Sequence, residues 1–163
     1  MEVICYKKCR DWLGFLIKWW TWGPYSHTEL RFSDGTCFSS SWVKERRGFL
    51  GLFGIRAGTR FKKIEMKPGR WDRWKISIDP AEEAKIRDWC KREEWLPYDV
   101  VGIFGFVLGK DLDSPFAWYC SEICARALHV FGICDFPRKI SPNGMARIMR
   151  EHPDVFQPVT ESE

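Results

Sequence analysis

Between Gly23-Pro24 and Val43 the chain alternates apolar and polar residues about a turn signal, and this pattern restricts the fold more than any other stretch. Leu30 and Phe32 alternate with Glu29 and Arg31, Ser33-Asp34-Gly35-Thr36 supplies an Asp-Gly turn, and residues 37–43 read as the return strand. A period of two makes a half-buried ribbon, which needs partners on its edges and a layer over its apolar face. Residues 60–66 and 73–78, joined by the Pro68-Gly69 turn, read as two more strands of the sheet. The covering layer is legible as helical periodicity. Residues 11–20 put Trp12, Phe15, Leu16, Trp19 and Trp20 on one face, with Asp11 as cap and Gly23-Pro24 as stop. Asp79-Pro80 opens a helix to about Glu94 that turns Ala84, Ile86 and Trp89 inward. Residues 98–108 read as an apolar helix, Cys120 opens another through Leu128, and Ser141-Pro142-Asn143 starts a last one through Arg150. The expected class is α+β, an antiparallel sheet packed against helices.

At 163 residues the chain suits a single domain, expected over residues 1–157, with 158–163 as a frayed tail. Residues 44–59 are basic and carry Gly48, Gly51, Gly54 and Gly58, a composition that predicts a mobile loop or lid. A balance of 26 Lys plus Arg against 22 Asp plus Glu gives only +4, short of the basic stripe of a nucleic-acid binder, so no nucleic-acid partner is expected. Seven cysteines, an odd count without a disulfide framework or a secretory leader, predict a reducing, cytoplasmic setting. Cys5, Cys9, Cys90, Cys124 and Cys134 read as small buried hydrophobes rather than metal ligands, and neither metal nor cofactor is expected. The longest apolar runs, residues 13–22 and 100–108, fall short of the about 20 residues a bilayer span needs. Trp19, Trp20 and Trp22 beside Lys18 favour burial in the core, with membrane-surface contact as the alternative.

Chemistry enters at Cys120. A thiol is a strong nucleophile only as thiolate, and the N–H groups and dipole of a helix N-terminus favour that state. The same N–H groups face the place where a tetrahedral oxyanion would form. The chain has three histidines. His129 lies on the helix of Cys120 and His152 in the last, proline-bounded segment, which leaves His27, at the start of the hairpin strand, as the base that can face the thiol. An imidazole base needs a polar partner to fix its tautomer. Glu29, two residues on and on the same strand face, fits. Glu122, two residues past Cys120, is an alternative. Tyr98 is a candidate for substrate or oxyanion contact, and Ser141-Pro142-Asn143 reads as a structural helix start.

Tyr25-Ser26-His27-Thr28-Glu29-Leu30, Asp34-Gly35, Tyr98-Asp99, Tyr119-Cys120-Ser121-Glu122 and Ser141-Pro142-Asn143 together resemble the circularly permuted branch of the NlpC-type papain-like cysteine hydrolases. The likeness is to the YiiX-like amidase family, including bacteriophage-encoded members, and spans residues 11–150. It implies a permuted papain-like fold in which the His-bearing hairpin precedes the nucleophile helix, and a cysteine amidase or peptidase acting in the bacterial host. The orienting position of the unpermuted family falls on Ser39, a poor partner for imidazole, so this chain departs from the pattern there. Peptide, amide or acyl substrates follow from the resemblance. A thiol acyltransferase or a lipid or thioester hydrolase on the same fold, and a binding module without turnover such as a viral host-directed factor, are the other readings.

Overall fold

The computed structural model describes residues 1–8, 15, 18, 22–46, 53–97 and 119–160. Six strands, β1 (Glu2–Tyr6), β2 (His27–Arg31), β3 (Thr36–Arg46), β4 (Phe53–Lys63), β5 (Trp71–Ile76) and β6 (Phe156–Pro158), form one sheet in the order β4-β3-β2-β1-β5-β6. Every neighbouring pair is antiparallel. The described residues add three helices, α1 (Pro80–Arg92), α2 (Cys120–Val130) and α3 (Pro142–Glu151). The class is α+β, and no helix among the described residues is long and apolar enough to cross a membrane.

The signals that shape these elements are local. Gly35, at φ +80°, gives the β2–β3 connection a left-handed residue that a Cβ would disfavour. Asp34 braces the same turn by accepting from the Thr36 N–H at 2.9 Å. Asp79 caps α1 by accepting from Glu82 N at 2.8 Å, and Ser141 caps α3 by accepting from Gly144 N at 3.0 Å. Alternation then decides the faces. Val3, Cys5, Leu30, Phe38, Trp74 and Ile76 turn toward the helices and pack with Ile86, Ile123, Leu128, Met145 and Met149 in the main core. The opposite face carries a small cluster, Ile4, Cys37 and Trp71, covered by Tyr6, Ile64 and Met66. Helix α2 lies across β2 and β3, so its first residue comes to the end of the sheet where β2 begins.

Several sequence expectations change. Of residues 44–59, expected as a loop or lid, the described ones, 44–46 and 53–59, are strand: β3 and β4 pair antiparallel in a register that runs from Thr36↔Lys63 to Arg46↔Phe53, and 47–52 lie outside the described residues. The glycines there misled because one of them has a packing reason. A Cβ on Gly58 would lie 2.4 Å from the Leu96 carbonyl oxygen, where residues 95–97 cross the strand. The strand expected over 60–66 is therefore the end of β4, and that expected over 73–78 begins and ends two residues earlier. Strands β1 and β6 carried no turn signal and were not anticipated. Pairing of β6 with β5, and a 2.9 Å bond from Val159 N to Arg73 O, tie down the start of the segment expected to fray. Trp22 is 91% exposed rather than buried. Trp19, Trp20, the helix expected over 98–108 and most of that over 11–20 lie outside the described residues.

Candidate active site

His27 opens β2, and the chain just before it is clamped. Ser26 N donates to Tyr6 O at 2.9 Å and Ser26 Oγ to Lys8 O at 2.8 Å. Asn143, in the first turn of α3, accepts from Tyr25 N and donates to Tyr25 O, both at 2.9 Å. Its amide thus occupies the place of a neighbouring strand, and Ser141-Pro142-Asn143 acts as structure, holding the backbone that carries the imidazole. Gly23 belongs to the same clamp, since a Cβ there would fall 2.2 Å from Asn143 Oδ1.

Cys120 is the first residue of α2 and 1% exposed. The preceding Tyr119 is the N-cap but makes no side-chain cap bond; its hydroxyl instead accepts from Ile140 N at 3.0 Å, while Ser121 Oγ donates to Ile140 O at 2.6 Å. The helix start is thereby anchored to the loop before α3, and its first-turn N–H groups point toward the Cys120 side chain's end of the helix, where an anion is favoured. The Cys120 sulfur takes that role, accepting from the backbone N–H of Ser121 and of Thr28 and hydrogen-bonding His27. His27 Nε2 also lies 2.8 Å from Glu29 Oε1. The three side chains form one line: Cys120, His27, Glu29.

Burial sets the starting point for every thiol here. It pushes Cys5 and Cys37 up to about 12 and raises Cys90, Cys124 and Cys134 as well. Among the described cysteines only Cys120 is lowered: burial opposes its ionisation, but the charge and hydrogen bond of His27, with the N–H groups of Thr28 and Ser121, outweigh it. His27 shows the reciprocal effect. Burial alone would lower it, yet the facing Cys120 thiolate and then Glu29 bring it up to about 9. Glu29, 1% exposed, is likewise held below the usual carboxylate range in spite of its burial, by His27 and by Lys62, whose Nζ lies 2.6 Å from the same Oε1. The shifts favour a thiolate–imidazolium pair backed by a carboxylate. Such a group can add to an electrophilic carbon and return a proton to a leaving group.

The remaining candidates fall elsewhere. The Ser39 hydroxyl donates to Thr28 O at 2.7 Å and is spent within the sheet. Glu122 lines a cavity of about 600 Å³ with Trp89, Glu93, Arg126 and His129, on the side of α2 turned away from the sheet. Tyr98 lies outside the described residues. Lys62 was missed by the sequence reading. Alternation along residues 60–66 does put Arg60 and Lys62 on one face, but only the β3–β4 register, Cys37↔Lys62, brings the ammonium to Glu29.

No family model matches this chain, and neither a curated protein nor a solved structure matches it.

Proposed function

We propose that this protein is a cysteine hydrolase, an amidase or peptidase that cleaves an amide bond through an acyl-enzyme on Cys120. One observation carries the reading: a buried thiol on the first residue of a helix, lowered by a histidine that is itself held at 2.8 Å by a buried carboxylate. Three roles follow. The Cys120 thiolate attacks the carbonyl carbon, and the C–O π electrons move to oxygen, where the Cys120 backbone amide donates to the oxyanion. His27 gives its proton to the departing amine as the C–N bond breaks. Neutral His27 then takes a proton from water, the hydroxide adds to the thioester carbon, and the carboxylic acid leaves with Cys120 restored as thiolate. Glu29 stays ionised throughout and keeps the imidazole turned toward sulfur. The permuted NlpC-type resemblance of the sequence supports the roles of Cys120 and His27; its orienting position falls on Ser39, and it is the 2.8 Å contact with His27 that supports Glu29 in that role instead.

A second reading uses the same acyl-enzyme with a lipid or thioester donor. The exposure of Trp22 (91%) and Phe15 (60%) favours it, because exposed aromatic surface suits a greasy donor. Incubation with p-nitrophenyl esters of acetate and of a long-chain acid, followed by intact-protein and peptide mass spectrometry, tests both. A burst of p-nitrophenol with an acyl mass on Cys120, absent in Cys120→Ala, is the expected result. Preference for the long chain selects the lipid reading, and no acyl adduct with either ester would overturn covalent catalysis.

A further inference from the structure

An imidazole and an ammonium group converge on one oxygen of Glu29. His27 Nε2 lies 2.8 Å and Lys62 Nζ 2.6 Å from Oε1, whereas Oε2 has no hydrogen-bond partner among the described residues. Glu29 is 1% exposed and Lys62 26%, so the carboxylate is anchored in the protein interior through that single atom. The second donor comes from an edge strand: β4 delivers Lys62 across β3, its register fixed by Cys37↔Lys62.

We propose that Lys62 is a positioning residue for the Cys120–His27 pair, fixing the Glu29 carboxylate and closing a line of alternating charge made of thiolate, imidazolium, carboxylate and ammonium. The inference rests on the reading of Cys120 as nucleophile and His27 as base. The four charges sum to zero. A single unpaired ion in such surroundings is strongly disfavoured, whereas a chain of paired ones is tolerated when each partner is hydrogen-bonded. Without Lys62 the set carries a net negative charge, with two effects of the same sign. The carboxylate acts on His27 unshared, so the imidazolium keeps its proton to higher pH. The thiolate has lost a compensating cation, so Cys120 gives up its proton only at higher pH.

The other charged and titratable groups around this line do not mimic that response. Cys5 on β1, Cys37 on β3 and Cys124 on α2 are thiols that burial holds protonated. Arg31 on β2 is 3.1 Å from Glu2, and Arg60 on β4 hydrogen-bonds Ser41 Oγ at 3.0 Å; both guanidinium groups stay charged. Tyr6 lies opposite His27 on β1.

The test is the rate of Cys120 alkylation by iodoacetate against pH, read by peptide mass spectrometry, in the wild type, Lys62→Met, Lys62→Gln and Lys62→Arg. The anionic reagent reports both charges: the rate rises as the thiolate forms and falls as the imidazolium is lost. In Lys62→Met and Lys62→Gln both limbs should move to higher pH, by about one unit, and Lys62→Arg should return them to the wild-type positions. A lost brace without an electrostatic role would lower the plateau and leave the limbs in place. Limbs that coincide with the wild type in Met and Gln variants, at whatever plateau, overturn the proposal. If Lys62→Met does not fold, as judged by near-ultraviolet circular dichroism, the Gln and Arg pair decides. A wild-type profile with no fast phase below the ordinary thiol range is a different failure: it removes the nucleophile–base reading and this inference with it.

Discussion

Replacing Cys120 by serine keeps size and hydrogen-bonding reach but removes the group that ionises, and His27 should register the loss directly. Its rise from the ordinary 6.5 to about 9 favours imidazolium by roughly 3 kcal/mol, at about 1.36 kcal/mol per pH unit. Burial works against that rise, and of the two groups producing it the Cys120 thiolate outranks Glu29. Loss of the larger contribution should lower His27 by more than about one pH unit, within the range expected for an opposite charge in contact. The assay is the chemical shift of the imidazole Cε1–H against pH, under reducing conditions, in wild type and Cys120→Ser. The chain has only three histidines, and the His27 signal is the one missing from His27→Ala. Stability carries the same signature. Taken singly, a raised His27 stabilises the fold fully below pH 6.5 and loses that contribution as pH rises through about 9. A lowered Cys120 stabilises it above the ordinary thiol range and loses that contribution as pH falls through its folded value. From about pH 6.5 to 8.5 the opposed slopes cancel, because thiol with neutral imidazole and thiolate with imidazolium each hold one proton. Cys120→Ser should expose the His27 slope alone. A His27 titration unchanged in Cys120→Ser would refute the pairing.

Three further outcomes follow from the same geometry. Glu29→Gln retains a hydrogen-bond acceptor for Nε2 but not the charge, so the basic limb of iodoacetate labelling should fall below about 9, and an unmoved limb would remove Glu29 from the site. Glu122→Gln, on the side of α2 away from the sheet, should leave Cys120 labelling essentially unchanged; a large loss would return Glu122 to the list of orienting residues. Gly58→Ala drives a Cβ to 2.4 Å from Leu96 O, a backbone atom held by the Thr59 N–H at 3.0 Å, and should cost about 1–3 kcal/mol in urea unfolding; a neutral result would mean that residues 95–97 yield freely.

What was legible in the sequence was the part carried by short-range rules. His27 and Glu29 share a face because strand side chains repeat every two residues, and Cys120 begins a helix because the apolar pattern from Ile123 to Leu128 starts there. The Asp-Gly turn, the Asp79 and Ser141 caps and the hairpin order are of the same kind. The misses are long-range. β1, the central strand flanked by β2 and β5, is a five-residue run, EVICY, with no turn beside it to announce it, and Lys62 reaches Glu29 only through a register that spans the whole β3–β4 pair. Gly-rich composition suggested a lid over 44–59, while one of those glycines exists to admit a crossing backbone. Asn143 was placed correctly at a helix start, but its bonds to Tyr25, 118 residues away, were beyond any local pattern.

The central claim is that His27 holds Cys120 as a thiolate, and the most direct measurement is iodoacetamide labelling of Cys120 against pH, by peptide mass spectrometry, in the wild type and in His27→Ala. Rapid labelling well below the free-thiol value of about 8.5, shifted to the ordinary thiol range in His27→Ala, is the expected result. Slow labelling, or labelling with the same pH dependence in both proteins, would contradict it.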